Sequence, residues 1–279
     1  MNYPGISPGL GSRLVFVLSL LIPFATAQQS VTSTYSVAPK AMISITNNYG
    51  PITVKPSGTR QIVAQSIARA ATVTFENEQR GNRVELTAHS KSLGDNLAEY
   101  VVLVPSDSWL VLKSSTGKIH VQELAGDLVL ETATGAVEVA AMSSVHVHVK
   151  TLGGPVAVTG IRSGHLDVHT VGGNVSLRNV AGSSVQVRTS SGRISYEGDP
   201  GLDGDYQLTS HSGDLEISVP AKCPALIRAV SLKGNSDKDF PEAKPSSPAK
   251  TDALLPPGLT SVSRLVLRSF SGKIHLKRP

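Results

Sequence analysis

From residue 114 onward the chain carries one short pattern many times over. A Thr or Ser is followed three positions later by Gly, and apolar residues sit two and four positions after that Gly. The copies are SSTGKIHV (114–121), TATGAVEV (132–139), TLGGPVAV (151–158), TVGGNVSL (170–177), TSSGRISY (189–196), SHSGDLEI (210–217) and SFSGKIHL (269–276). An earlier relative, NNYGPITV (47–54), has Asn in the first position. The glycines at 117, 135, 154, 173, 192 and 213 are spaced 18, 19, 19, 19 and 21 residues apart.

Each interval holds two short alternating segments, and strict alternation predicts strands that are buried on one side only. The first segment places Ile119/Val121, Val137/Val139, Val156/Val158, Val175/Leu177 and Ile194/Tyr196 on one face. Leu124, Met142, Ile161 and Val180 mark a corner seven positions after each Gly. The second segment follows with Leu128/Leu130, Val147/Val149, Leu166/Val168, Val185/Val187 and Tyr206/Leu208, and ends on Thr132, Thr151, Thr170, Thr189 or Ser210. Helices are excluded, because a glycine every nine or ten residues costs about 1 kcal/mol each inside them. A unit this short cannot bury its own apolar face and must stack on copies of itself. The predicted fold is therefore all-β: a parallel β-solenoid of about six rungs of ~19 residues, with an irregular β-rich N-terminal cap. Glycine is expected at the tight corner, for positive φ or close backbone approach. The Thr/Ser hydroxyls are expected to bond turn amides or each other.

The domain reading follows from this register. Residues 1–27 are a leader, 28–110 a β-rich cap with the first solenoid strands, and 111–233 the regular repeats. Residues 234–260 (GNSDKDFPEAKPSSPAKTDALLPPGLT) form a Pro/Ser/Lys-rich loop, and 261–279 are terminal strands that close the solenoid. The cap would cover strand edges otherwise left unpaired. Trp109 is expected to pack at the cap–repeat junction.

The order NNYGPITV, then YVVLVPSDSWLVLKSSTGKIHVQELAGDLVLETATGAVEV, then repeated S/T-x-x-G-x-[IV]-x-[VLI], resembles the bacterial DUF4097 family over roughly residues 40–276. That family is described as putative adhesins with a β-helix-like fold. The resemblance implies an extracytoplasmic solenoid and, by name, adhesion. It implies no catalytic residue and no cofactor.

Composition adds compartment and narrows partners. Arg13, the apolar run 14–24 and Ala25-Thr26-Ala27 make the three parts of a secretory signal peptide, with cleavage expected after Ala27. The run is too short for the ~20 residues a membrane-spanning helix needs, and no later segment qualifies. A secreted, periplasmic or cell-surface protein is expected. The formal charge is +5 and spread thinly, with no basic arm, and only one Trp, five Phe and six Tyr are present. That balance argues against nucleic-acid binding. A single cysteine, Cys223, excludes an internal disulfide.

Candidate chemistry centres on VHVHVK (145–150) and HLDVH (165–169). With Val147 and Val149 inside, His146, His148 and Lys150 point outward and stack over His165, Asp167 and His169. His146, His148, His165, Asp167 and His169 thus form one exposed patch. It is a candidate for zinc or copper, set against the simpler reading of a solvated polar face. No resident metal or cofactor is expected. Outward acids (Asp127, Glu131, Glu138, Asp167, Asp214, Glu216) are spread over several rungs, with no catalytic pairing evident. The expectation is a non-enzymatic, adhesin-like surface or scaffold, with a cell-surface polysaccharide or a protein as partner and self-association as an option. The rivals are a polysaccharide-active β-helix enzyme and a self-assembling solenoid.

Overall fold

The computed structural model describes residues 29–238 and 262–277, apart from 93, 95, 222, 224, 234 and 235. The expected leader with its cleavage after Ala27 lies outside the described residues, as do residues 239–260 of the expected loop. The described residues form strands throughout, in two mostly parallel sheets, and no helix among them is long and apolar enough to cross a membrane.

Seven strands precede the regular repeats: β1 (Gln29–Ser36), β2 (Met42–Thr46), β3 (Ile52–Ser57), β4 (Gln61–Ala68), β5 (Val73–Arg80), β6 (Arg83–Ser90) and β7 (Ala98–Pro105). The repeats then alternate between the sheets, through β8 (Trp109–Ser114), β9 (Ile119–Gln122), β10 (Leu128–Thr132), β11 (Val137–Ala140), β12 (Ser143–Thr151) and β13 (Val156–Thr159). They continue with β14 (Arg162–Thr170), β15 (Val175–Arg178), β16 (Ser184–Thr189), β17 (Ile194–Glu197), β18 (Asp205–Ser210) and β19 (Leu215–Ser218). The last are β20 (Ala225–Ser231), β21 (Ser236–Lys238), β22 (Ser263–Ser269) and β23 (Ile274–Lys277).

The first sheet runs β1-β4-β7-β3-β9-β11-β13-β15-β17-β19-β23-β21, and the second β20-β22-β18-β16-β14-β12-β10-β8-β2-β6-β5. Repeat stacks on repeat in parallel and in register: Val137 beside Val156, Val156 beside Val175, Leu128 beside Val147, Val147 beside Leu166. The inward valines, isoleucines and leucines form one continuous core, which includes Leu124, Met142, Ile161 and Val180 at the corner. Tyr196 and Tyr206 join it, their rings edge to face at 5.6 Å. Burial pushes the Tyr206 phenol up to about 12; its hydroxyl accepts from the Gly182 N–H at 3.1 Å and donates to Pro200 O at 2.9 Å.

Chain order and stacking order part company at both ends. The pair β2/β3 lies between β6/β7 and β8/β9, so the chain builds outward and then returns past its own first strands. At the other end β22/β23 pairs with β18/β19 and places β20/β21 outside it. The strands after residue 261 are therefore inserted into the stack. Among the described residues the antiparallel pairs are β1–β4, β4–β7 and β5–β6, all at the N-terminal end of the stack, where they form the cap.

The repeat glycines are required by close approach. A Cβ on Gly135 would lie 2.1 Å from the carbonyl oxygen of Gly117, and the same clash recurs at 1.9 Å for Gly154, 2.0 Å for Gly173 and 2.0 Å for Gly192. Positive φ falls at the other corner, on Glu123, Ala141, Gly160 and Asn179. The Thr/Ser column serves the glycines directly. Thr132, Thr151, Thr170, Thr189 and Ser210 each accept the N–H of the Gly three residues on, at 2.8–3.0 Å. These hydroxyls satisfy buried turn amides that would otherwise cost about 1–3 kcal/mol each.

Candidate functional site

Among the described residues, outward side chains of the second sheet form a dense cluster of titratable groups. His146 pairs with His165 in the ladder, His148 with Asp167 and Lys150 with His169. The His146 and His165 rings stack at 4.8 Å with planes 2° apart. Asp127 anchors one edge of the patch: its Oδ1 accepts the His146 N–H and lies 3.1 Å from His146 Nδ1. Asp167 sits between two imidazoles, with His148 Nδ1 at 3.3 Å and His169 Nε2 at 3.1 Å. The His169 approach is out of line, and the enclosed Asp167 Oδ1 has no hydrogen-bond partner. Arg188 then caps the row, 3.3 Å from His169 Nε2 and 3.0 Å from Gln186 Oε1.

The five residues of the candidate metal patch are thus on one exposed face. Among the described residues, however, no three His, Cys, Asp or Glu side chains converge where an ion could be held. The reason is geometric. Rings stacked face to face aim their nitrogen lone pairs along parallel planes, whereas zinc needs donors converging to ~2.0–2.2 Å.

Trp109 lies where the cap meets the repeats, beside Met42 of β2, but on this outer face, which corrects the expectation of a core role. Leu110 and Leu112 take the inward positions of β8, so alternation turns Trp109 outward, and it is 44% exposed. Together with Asp127, His146, His148, Asp167 and Gln186 it lines a shallow depression of about 380 Å³. Size suggested a core role, but the phase of the strand decided otherwise. The signal was available in the alternation of WLVLKS.

The first sheet has a larger open depression of about 710 Å³. Its floor is Ala157, Ser176 and Ser195, and its charged ends are Glu138 and Glu216, all in one ladder. Four strand spacings separate the two carboxylates, roughly 19 Å. Lys118 at 2.8 Å holds the Glu138 carboxyl below its ordinary range, with His120 at 3.1 Å helping. Glu216 is paired with Arg193 at 3.2 Å, and Asp214 Oδ1 accepts the Lys273 N–H at 2.8 Å. Glu131 belongs to the second sheet, where it pairs with Lys113 at 2.9 Å. Cys223 is buried, its thiol 3.3 Å from Asp199 Oδ1.

Two stacked, mostly parallel sheets closing one core, with short corner turns, define a β-solenoid. The sequence profile of the Toastrack (DUF4097) family matches residues 41–252, and the chain belongs to that family. The fold is similar to that of a putative adhesin from Bacteroides fragilis, with 13% identity, 90% of this chain and 99% of that one covered, and a TM-score of 0.50. A putative adhesin from Parabacteroides distasonis is 12% identical over 90% of this chain and 98% of its own, with a TM-score of 0.48. A putative lipid binding protein from the same species is 9% identical over 89% and 97%, with a TM-score of 0.46. No curated protein matches the chain.

Proposed function

We propose that this protein is an exported, non-enzymatic, adhesin-like module that binds a cell-surface polysaccharide on the outer face of its second sheet. One observation carries the reading: the chain's single tryptophan is held solvent-exposed beside the depression lined by Asp127, His146, His148, Asp167 and Gln186. An indole face supplies a flat apolar platform for a sugar ring. The surrounding planar donors and acceptors fit its hydroxyls. The leader-like residues 14–27 support export. The ~19 Å between Glu138 and Glu216 supports a binding role over glycoside cleavage, for which paired carboxylates stand roughly 5–10 Å apart. The antiparallel cap supports a discrete particle over end-to-end stacking.

The test is a screen of the purified protein against surface polysaccharides, with Trp109→Ala alongside. Binding weakened about tenfold or more by the substitution is expected. Absence of binding across the screen, or release of reducing ends from any bound polymer, overturns the proposal.

A further inference from the structure

The turn that follows each Thr/Ser position stacks into a ridge between the two sheets. Ladder register assigns its members: Ala133 after Thr132, Leu152 after Thr151, Val171 after Thr170, Ser190 after Thr189, His211 after Ser210, Phe270 after Ser269 and Leu232 after Ser231. Three of these are large aliphatic side chains turned into solvent, Leu152 at 62% exposure, Val171 at 52% and Leu232 at 71%. Phe270 is half-buried, stacked on His211 at 4.8 Å with the Lys233 ammonium 4.9 Å from its ring centre. From Leu152 to Leu232 the crest runs over five strand spacings, about 24 Å.

The crest backbone does not depend on these side chains. Every described crest backbone bond is made whatever the residue: Leu152 N–H to Ala133 O, Gly172 N–H to Leu152 O, Ser190 N–H to Val171 O. Ser190 occupies the same position at no structural loss. On the opposite corner the equivalent ridge is Glu123, Ala141, Gly160, Asn179 and Gly198, with no large apolar residue. A convex row of apolar tips, interrupted by Ser190 and His211, cannot enclose a small ligand. It can enter a medium that closes around it.

Charge names that medium. Two residues before the crest positions the second sheet presents Glu131, Lys150, His169, Arg188, Thr209, Arg268 and Val230, with Lys113 one rung earlier. Three residues after the crest the first sheet presents Ala136, Pro155, Asn174, Arg193, Asp214 and Lys273, with Lys118 one rung earlier. Lys118 and Arg193 are paired with Glu138 and Glu216. The uncompensated positive charge lies mainly on the second-sheet flank. Glu131 is paired with Lys113, while among the described residues no carboxylate lies within 4 Å of Lys150, Arg188 or Arg268. Apolar tips beside the second sheet's row of unpaired cations match a bilayer interface with anionic headgroups.

We infer that the Leu152–Leu232 ridge is a peripheral membrane-docking edge that inserts Leu152, Val171 and Leu232 into an anionic lipid surface while the flanking lysines and arginines contact phosphates. The inference stands apart from the polysaccharide reading, because Trp109 begins the strand that ends at the crest and sits roughly 20 Å from it. A solenoid docked on this edge would hold the Trp109 face free and to one side.

Cosedimentation of the full-length protein with vesicles tests it, using phosphatidylcholine alone and an equimolar mixture with phosphatidylglycerol. Binding to the anionic vesicles only, falling steeply with added salt, is expected. Leu152→Ser/Val171→Ser should weaken it by about tenfold or more, and Lys150→Glu/Arg188→Glu by at least about fivefold for each charge. Unchanged far-UV circular dichroism and melting midpoint certify both variants as folded, and either alone suffices for the test. Equal binding to neutral and anionic vesicles overturns the inference. So does anionic binding that survives the crest substitutions, or that soluble glycerophosphoglycerol or an acidic polysaccharide abolishes at matched charge, since those mark a headgroup or polyanion site without insertion.

Discussion

Gly153 and Gly154 are neighbours in sequence with opposite physical roles, and substituting each by alanine isolates what the repeat requires. A Cβ at Gly154 would sit 1.9 Å from Gly135 O and 2.8 Å from its carbonyl carbon. Normal contact distances demand that one rung move by more than 1 Å relative to the next. The obstacle is backbone on both sides, so no side-chain rotation can relieve it. The movement also pulls the Gly154 N–H from Thr151 Oγ1, now 3.0 Å away. Overpacking of this kind costs about 1–3 kcal/mol, and a stranded buried amide about 1–3 more, giving about 2–6 kcal/mol for Gly154→Ala. At Gly153 nothing lies within 4 Å of the added methyl and φ is not in the left-handed region. There the substitution removes only unfolded-state freedom, and Gly153→Ala should be neutral or stabilising by about 0.4–1 kcal/mol. Urea melts of the two variants, read by far-UV circular dichroism beside the parent, make the comparison. For a chain of this size the first change should lower Tm by about 10 °C. A Gly154→Ala loss below about 1 kcal/mol, or equal losses at both sites, refutes close approach as the reason for the column.

The hydroxyl column makes an independent demand: Thr170→Val should cost about 1–3 kcal/mol by stranding the Gly173 N–H, whereas Thr170→Ser should recover most of it, as urea midpoints will show. Asn47 fills the equivalent place in the early repeat, fully buried, with Nδ2 donating to Pro51 O and Ala98 O and Oδ1 accepting the Tyr49 N–H. Asn47→Ala should therefore destabilise by about 2–4 kcal/mol in the same assay, and a neutral result would break the equivalence with Thr132. Asp205 is held below the usual carboxylate range by the Arg264 guanidinium at 3.1 Å, across the β18–β22 seam. A depressed folded value means the pair's stabilisation is present above the unfolded value near ~3.9 and is lost as pH falls through the folded one. Half-exposed as it is, the pair contributes under about 1 kcal/mol, and Arg264→Ala should raise the Asp205 titration midpoint followed by carboxyl-carbon NMR.

Much of this fold is legible in residues 114–218, where glycine spacing and alternation give inside, outside and vertical partner for almost every position. His146 over His165 and His148 over Asp167 follow from that register alone. The stacking order at the ends was not legible. Parallel neighbours all share one in–out pattern, so alternation shows that MISIT and SRLVLRS are rungs without saying between which others they insert. The mechanism of the glycine column was half legible, because close approach and positive φ both select glycine. Only coordinates separate the two, with positive φ borne at the other corner by Glu123, Ala141 and Asn179. The crest was unreadable as a site for a different reason. Leu152 and Val171 stand alone in sequence, and the link to Phe270 and Leu232 exists only once β22 is seated between β18 and β20.

Trp109 is the sole tryptophan, so its emission reports directly on the proposed polysaccharide face. The decisive measurement is a fluorescence titration of the protein with the surface polysaccharide that the screen selects. The account predicts a saturable blue shift as the half-exposed indole is covered. It also predicts no such shift with anionic vesicles, which engage the far ridge. Polysaccharide binding that leaves Trp109 emission unchanged would contradict the assignment of this face, and a failure to bind any polysaccharide would contradict the adhesin-like reading itself.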